Sequence, residues 1–210
     1  AVSNVNDAPI GVVTISGTAA EDQTLTLSST VTDEDGIDAD TVSYQWYRDS
    51  SAISDATSTS YTLTQDDVGA VITAKQSYTD DFGNAHSVTS SATSTVSNVN
   101  DDPTGSVTIS GAASQGSELT AITTTLADED GLGDLSYQWL RDGSDISGAT
   151  SSTYTLTQDD VGAQISARVS YTDGGSASEA VESSPTSTVT NVNDDPTGSV
   201  TVSGTASQGS

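Results

Sequence analysis

Apolar and polar positions along the chain alternate at period two, and no segment shows the period of a helix. Residues 12–16 (Val-Val-Thr-Ile-Ser) form a short β-rich run closed by Gly17, and residues 25–31 alternate again, which predicts strands A and B. In residues 42–48, Val42, Tyr44 and Trp46 share one face of strand C. A polar segment rich in Ser, Thr and Ala leads to Tyr61-Thr62-Leu63 and then to residues 64–69, a turn by their Asp and Gly content. Strand F is clearest further on, where Ile165, Ala167, Val169 and Tyr171 point one way and Gln164, Ser166, Arg168 and Ser170 the other. The last strand falls around residues 88–96, mostly Ser and Thr. Turn signals arrive about every 8 to 12 residues, the spacing of a β-sandwich.

The pattern occurs twice. Trp46 recurs as Trp139, Tyr61 as Tyr154, Asp67 as Asp160 and Tyr78 as Tyr171, each 93 positions later. The punctuation between copies is Asn-Val-Asn-Asp-Asp-Pro at residues 98–103, repeated at 191–196 and, with Ala8 in place of the second Asp, at 4–9. These marks divide the chain into a linker from a preceding repeat (1–8), a first repeat (9–97), a linker (98–103), a second repeat (104–190), and a linker with the first strand of an incomplete third repeat (191–210). The chain starts and stops inside a repeat and so reads as a piece of something longer. Residues 200–210 have no partner strands here and are expected to pack poorly unless a neighbouring chain completes them.

Composition changes this picture in one respect, which is stability. Hydrophobic content is 32%, with one Phe and two Trp for two cores, so each domain sets little apolar burial against its conformational entropy. There is no Cys, which excludes disulfides. The single Lys, Lys75, becomes Arg168 in the second copy, which speaks against a repeated lysine crosslink.

Charge points to the missing element. Thirty acids, 24 of them Asp, oppose four bases, for a net charge of −26. Self-repulsion of that size destabilises a compact state unless cations bind or screen it. Binding of nucleic acid is disfavoured, since phosphates call for clustered Lys and Arg, and no stretch approaches the roughly 20 apolar residues of a membrane span.

The acids concentrate in turns and linkers. With strands running alternately up and down, the B–C and F–G loops lie where the chain enters a sandwich and the E–F turn where it leaves. One junction therefore gathers Asp66 and Asp67 from the first repeat, Asn98, Asn100, Asp101 and Asp102 from the linker, and Asp128, Glu129, Asp130 and Asp173 from the second repeat. The same reading assigns metal-ligating roles to Asn4, Asn6, Asp7, Asp33, Glu34, Asp35 and Asp80 at the first linker, and to Asp159, Asn191, Asn193 and Asp194 at the last. Calcium takes six to eight oxygens from carboxylates, amides, carbonyls and water, all on offer here; magnesium demands tighter octahedral geometry. Zinc prefers Cys and His, and the only His, His86, reads as a solvent-exposed loop residue. Taken singly, Asp33-Glu34-Asp35-Gly36 is also an ordinary turn, and Asp67 reads as bonding its own loop. The linker is more specific, because a merely flexible one would be Gly and Ser. No nucleophile with a base can be assembled and no glycine-rich loop precedes a helix, so an enzyme is the least supported class.

Trp46 in Tyr-Gln-Trp-Tyr-Arg-Asp and Trp139 in Tyr-Gln-Trp-Leu-Arg-Asp-Gly resemble the core Trp of strand C in immunoglobulin-like domains. Asp67-Val68-Gly69 and Asp160-Val161-Gly162 resemble that family's turn before strand F, while its Cys pair is absent. The resemblance implies an all-β chain of tandem immunoglobulin-like β-sandwiches in a linear array. Together with the linkers, the pattern resembles the tandem repeats of large bacterial surface adhesins of the repeat-in-toxin and biofilm-associated types. The linker itself is similar to that of cadherins, with Asn98 where an acid usually stands. What this implies is an extracellular, cell-surface extender, stiffened by Ca2+ at its linkers, that projects a distal adhesive domain. Its partners would be neighbouring repeats, or like chains in a surface filament. A carbohydrate- or protein-binding module using loops 33–40 and 80–85, which differ between copies, is the alternative.

Overall fold

The computed structural model describes residues 5–204, 206, 208 and 209; Asn4 lies outside them. The first repeat contains β1 (Val13–Ser16), β2 (Thr24–Ser29), β3 (Ser43–Arg48), β4 (Ser51–Ala52), β5 (Ser60–Thr62), β6 (Ile72–Thr79) and β7 (Ala85–Thr89). They form one sheet in the order β1-β2-β5 and another in the order β4-β3-β6-β7, all antiparallel. The second repeat reproduces this with β8 (Thr108–Ser110), β9 (Glu118–Ile122), β10 (Ser136–Arg141), β11 (Ser144–Asp145), β12 (Thr153–Thr155), β13 (Ile165–Thr172) and β14 (Ser178–Glu182). Its sheets run β12-β9-β8 and β11-β10-β13-β14. Three strands facing four, built twice, are sandwiches, as the alternation and turn spacing predict, and of the immunoglobulin-like kind that the resemblance implies.

The chain divides into two compact units. One comprises Ala1–Asp102 with Asp128–Gly131 and Asp173–Ala177; the other comprises Pro103–Ala127, Leu132–Thr172 and Ser178–Ser210. The last described residues carry no strand, with Val200 and Val202 almost fully exposed. Among the described residues no helix is long and apolar enough to cross a membrane.

Each core is organised on its Trp. Trp46 is fully buried opposite Ala74 in the β3–β6 register, and Trp139 opposite Ala167 in β10–β13, so a small residue makes room for a large one. Their indole N–H groups donate to Ser58 O at 2.8 Å and Ser151 O at 2.9 Å, which satisfies the one polar atom each ring buries. Tyr61 and Tyr154 pack against these rings with centroids 5.8 Å away. Their hydroxyls reach Asp67 and Asp160, two carboxylates with no exposed surface.

Around Asp67, Arg48 Nε donates at 2.8 Å, Tyr61 Oη at 2.8 Å and the Thr64 N–H at 2.9 Å. Around Asp160, Arg141 Nε donates at 2.8 Å, Tyr154 Oη at 2.9 Å and the Thr157 N–H at 2.7 Å. Burial pushes both carboxyls up, yet these donors together hold each below the usual carboxylate range. Asp67 thus bonds its own turn, as its place before a Gly suggests.

Two elements depart from the sequence pattern. The two-residue strands β4 and β11 lie inside what reads as polar loop. The last strand, expected at residues 88–96, is β7, Ala85–Thr89. Beyond it, the Ser90 and Thr93 hydroxyls accept the N–H groups of Ala74 and Ile72 at 3.0 Å each, in place of backbone carbonyls. The ladder therefore ends although the chain stays bound. Ser183 and Thr186 repeat this against Ala167 and Ile165.

The two cores are not equal. Val169 packs with Val107, Leu126 and Tyr171 in a cluster of the second repeat, whereas its counterpart in the first is Gln76, 5% exposed, whose Oε1 has no hydrogen-bond partner among the described residues. Replacing Gln76 by Val is expected to stabilise the first repeat by about 1–3 kcal/mol, because an orphaned buried acceptor is removed and apolar contact added. Thermal or urea unfolding of the variant checks this, and a loss of stability would refute it.

Candidate metal centre

The centre is built around Glu21, which the sequence reading passed over. Glu21 precedes β2, and its N–H donates to Ser97 O at 2.9 Å, which pins it one residue before Asn98. From there its side chain, 2% exposed, turns onto the linker, where Oε2 accepts the Val99 N–H at 3.3 Å. With its amide nitrogen facing the carboxylate, Gln65 donates to Glu21 Oε1 at 2.8 Å and to Asn98 Oδ1 at 3.2 Å. One carboxylate oxygen each from Glu21, Asp101 and Glu129 lies within 4.8 Å of the others. Burial pushes the Glu21 carboxyl up, with repulsion from Asp101, Asp130 and Asp22 adding to it. Asp101 is raised likewise, by burial and then by Asp130, Asp22, Asp128 and Asp102. Such a group lowers its free energy by taking up either a proton or a cation.

A second trio adjoins the first within the same compact unit. One oxygen each from Asp128, Asp130 and Asp173 again lies within 4.8 Å of the others. Local turns set the side chains: the Asp130 N–H donates to Asp128 Oδ1 at 3.0 Å, the Gly131 N–H to Asp128 O at 3.1 Å, and the Ala177 N–H to Asp173 Oδ1 at 2.8 Å. The Asp101 N–H donates to Asp130 Oδ2 at 2.9 Å, which joins the two trios.

What remains points to a ligand. Asp130 and Asp173 are each 6% exposed, yet among the described residues Asp130 Oδ1 and Asp173 Oδ2 have no hydrogen-bond partner. Two buried, partnerless carboxylate oxygens in one trio of acids are costly unless a cation answers them. Gly175 closes against them, since a Cβ there would stand 2.6 Å from Asn98 Nδ2 and 3.5 Å from Asp130 Cγ. An all-oxygen, carboxylate-rich donor set suits calcium, the ion the sequence reading implies.

The remaining expected ligands are distributed as follows. Asn100 Nδ2 turns to Asp101 O at 3.3 Å, and Asp102 is exposed. Asp66 stands apart, 85% exposed and 3.9 Å from Arg48 Nη1, and Asp159 is exposed too. At the first linker the Asp7 N–H donates to Asp35 Oδ2 at 2.7 Å, just as Asp101 meets Asp130. Asp33 Oδ2 accepts the Tyr78 hydroxyl at 2.6 Å, Asp80 is buried among donors, and Glu34 is exposed. At the last linker Asn191, Asn193 and Asp194 are exposed, and Asp194 Oδ2 accepts Gln115 Nε2 at 2.8 Å.

His86 is not a loop residue. It lies on β7, its side chain 9% exposed and its ring stacked on Tyr78 at 5.4 Å. Nε2 stands 3.2 Å from Asn6 Oδ1, 3.4 Å from Asp80 Oδ2 and 3.8 Å from Asp33 Oδ2. The sequence hides this because the matching position on β14, opposite Tyr171, is Glu179.

No protein-family model and no curated protein matches the sequence. Among solved structures, the chain is similar to three N-terminal domains of the outer capsid protein Hoc of bacteriophage RB49, at 16% identity and TM-score 0.29, over 83% of this chain and 59% of that one. It is similar to a domain stretch of titin at 14% identity and TM-score 0.31, over 89% and 60%. It is also similar to fibronectin(III)-like modules of Clostridium thermocellum CbhA at 17% identity and TM-score 0.27, over 90% and 100%. The chain spans about 60% of the length of the first two. Each is a likeness of fold and bears on no activity.

Proposed function

We infer that the chain is a non-catalytic extender: tandem immunoglobulin-like domains of a large secreted surface protein, with calcium stiffening the linker at residues 98–103. The observation that supports it is the pair of buried oxygens without a partner among the described residues, Asp130 Oδ1 and Asp173 Oδ2, in the same unit as linker residues 98–102. Bound there, calcium neutralises the carboxylates. Glu21, Asp101 and Glu129 hold one side of the centre and Asp128, Asp130 and Asp173 the other. Linker and loops are then fixed to one another, and a flexible chain becomes a spacer that carries a distal adhesive domain outward. Its immediate partners are the neighbouring repeats. Calcium titration calorimetry with small-angle scattering tests the reading: saturable uptake and a longer, narrower distance distribution than in chelator are expected. An unchanged profile with no uptake would sink it.

One observation favours the binding-module reading instead. Phe82, in the loop between β6 and β7, is 64% exposed and has only small residues beside its counterpart, Gly174-Gly175-Ser176. Carbohydrate binding by an isolated first repeat, lost on Phe82→Ala, would decide for that reading.

A further inference from the structure

We propose that, of the three linker copies, the middle one alone is the calcium-dependent joint, because the chain supplies its own hydrogen-bond donors where the ion would stand in the other two. This rests on the calcium reading above and concerns where the ions go.

A joint has two halves: the acid that the preceding repeat lays on the linker, and the acid loops of the following repeat. In the middle copy both halves are open, with Glu21 on one side and Asp130 and Asp173 on the other.

At the first copy the following half is closed. Asp80, the counterpart of Asp173, accepts the Phe82 N–H at 2.9 Å and the Asn84 N–H at 2.8 Å on Oδ1. On Oδ2 it accepts Asn84 Nδ2 at 2.8 Å and faces His86 Nε2 at 3.4 Å. Position 84 is Ala177 in the second repeat, which has no amide to offer, and position 86 is Glu179. Asp173 Oδ2 is orphaned as a result, where Asp80 Oδ2 is not. The same two changes remove two donors and add an acid, which is what a change from a self-satisfied pocket to a cation site requires.

At the last copy the preceding half is closed. Gln115 stands where Glu21 stands, its N–H on Thr190 O at 3.0 Å as that of Glu21 is on Ser97 O. Its Oε1 accepts the Val192 N–H at 3.3 Å, the same distance as Val99 to Glu21. Its Nε2 then donates directly to Asp194 Oδ2, the counterpart of Asp101. The amide keeps the linker anchored and replaces a repelling carboxylate by a donor, so no ion is needed between them.

The test counts calcium bound to the full chain by equilibrium dialysis and calorimetry. Asp130→Asn with Asp173→Asn is expected to lower the stoichiometry by at least one ion, and Glu21→Gln to weaken uptake at least tenfold. Asp80→Asn and Asp194→Asn are expected to keep the parent stoichiometry with affinity within twofold. Loss of an ion in either of these last two overturns the proposal, whereas no uptake by the parent overturns the calcium reading itself. Should Asp80→Asn fail to fold, the double variant Asn84→Ala, His86→Glu decides. It is expected to gain an ion, and an unchanged count overturns the proposal.

Discussion

Asp160→Ala is expected to lower the stability of the second repeat by about 3–5 kcal/mol, because removing one partner of a buried ion pair strands the others. Arg141, the Tyr154 hydroxyl and the Thr157 N–H all donate to this carboxylate, and an Ala side chain offers none of them an acceptor. A small domain holds only about 5–15 kcal/mol in total, so the variant would stand near its unfolding limit. Trp139 packs against Tyr154, which makes its fluorescence the readout; a Trp46→Phe background isolates it from the first repeat. Urea unfolding should show the midpoint fall by roughly 1–3 M at an unchanged slope. Asp67→Ala should do the same to the first repeat. A drop of under about 1 kcal/mol in both would mean that the network contributes geometry and little energy. The sign with pH follows from the depressed carboxyls. Their contribution is present above the unfolded-state value of about 4 and is lost as pH falls through the lower folded-state value, so both repeats should be acid-labile.

That network was legible in outline and for a physical reason. Tyr61, Asp67 and Trp46 recur at one spacing because a sandwich core tolerates few arrangements, and strands with one buried face print their alternation on the sequence. What the chain did not print were features too short for a period or dependent on distant backbone. β4 and β11 have two residues each and no alternation to read. Glu21 sits in a polar run before β2, and only its backbone bond to Ser97 brings it to the linker. Its one trace in the sequence is the change to Gln115 at the matching position, which keeps shape and drops charge. Asp66 went the other way: it neighbours Gln65, which does reach Glu21, but its own carboxylate stands 85% exposed beside Arg48. Adjacent residues on a turn point in different directions, so closeness to a junction in sequence does not by itself bring a carboxylate to it.

Calcium is expected to raise the melting temperature of the first compact unit by roughly 10 °C over chelator, since an ion at about a hundredfold excess over its dissociation constant contributes about 2.7 kcal/mol. The more telling variant is Asp130→Asn. Its side chain keeps the acceptor for the Asp101 N–H and brings an amide into the trio with Asp173, whose Oδ2 is partnerless among the described residues. One like-charge repulsion disappears and one buried acceptor gains a donor, so the variant should melt above the parent in chelator. In calcium it should melt below the parent, because the amide would stand where the proposed ion binds. The two melting curves would therefore cross, which calorimetry with and without chelator would show directly. Destabilisation in both conditions would mean that the pocket is closed by hydrogen bonds and not by an ion. Asp101→Asn should show a smaller version of the same crossing, because Asp101 is only half-buried and its carboxylate is more readily satisfied by water. The size of the effect should thus follow burial and not position in the linker motif, which shifts the weight of the joint from the repeated Asn-Asp-Pro signature to the loops that fold back on it.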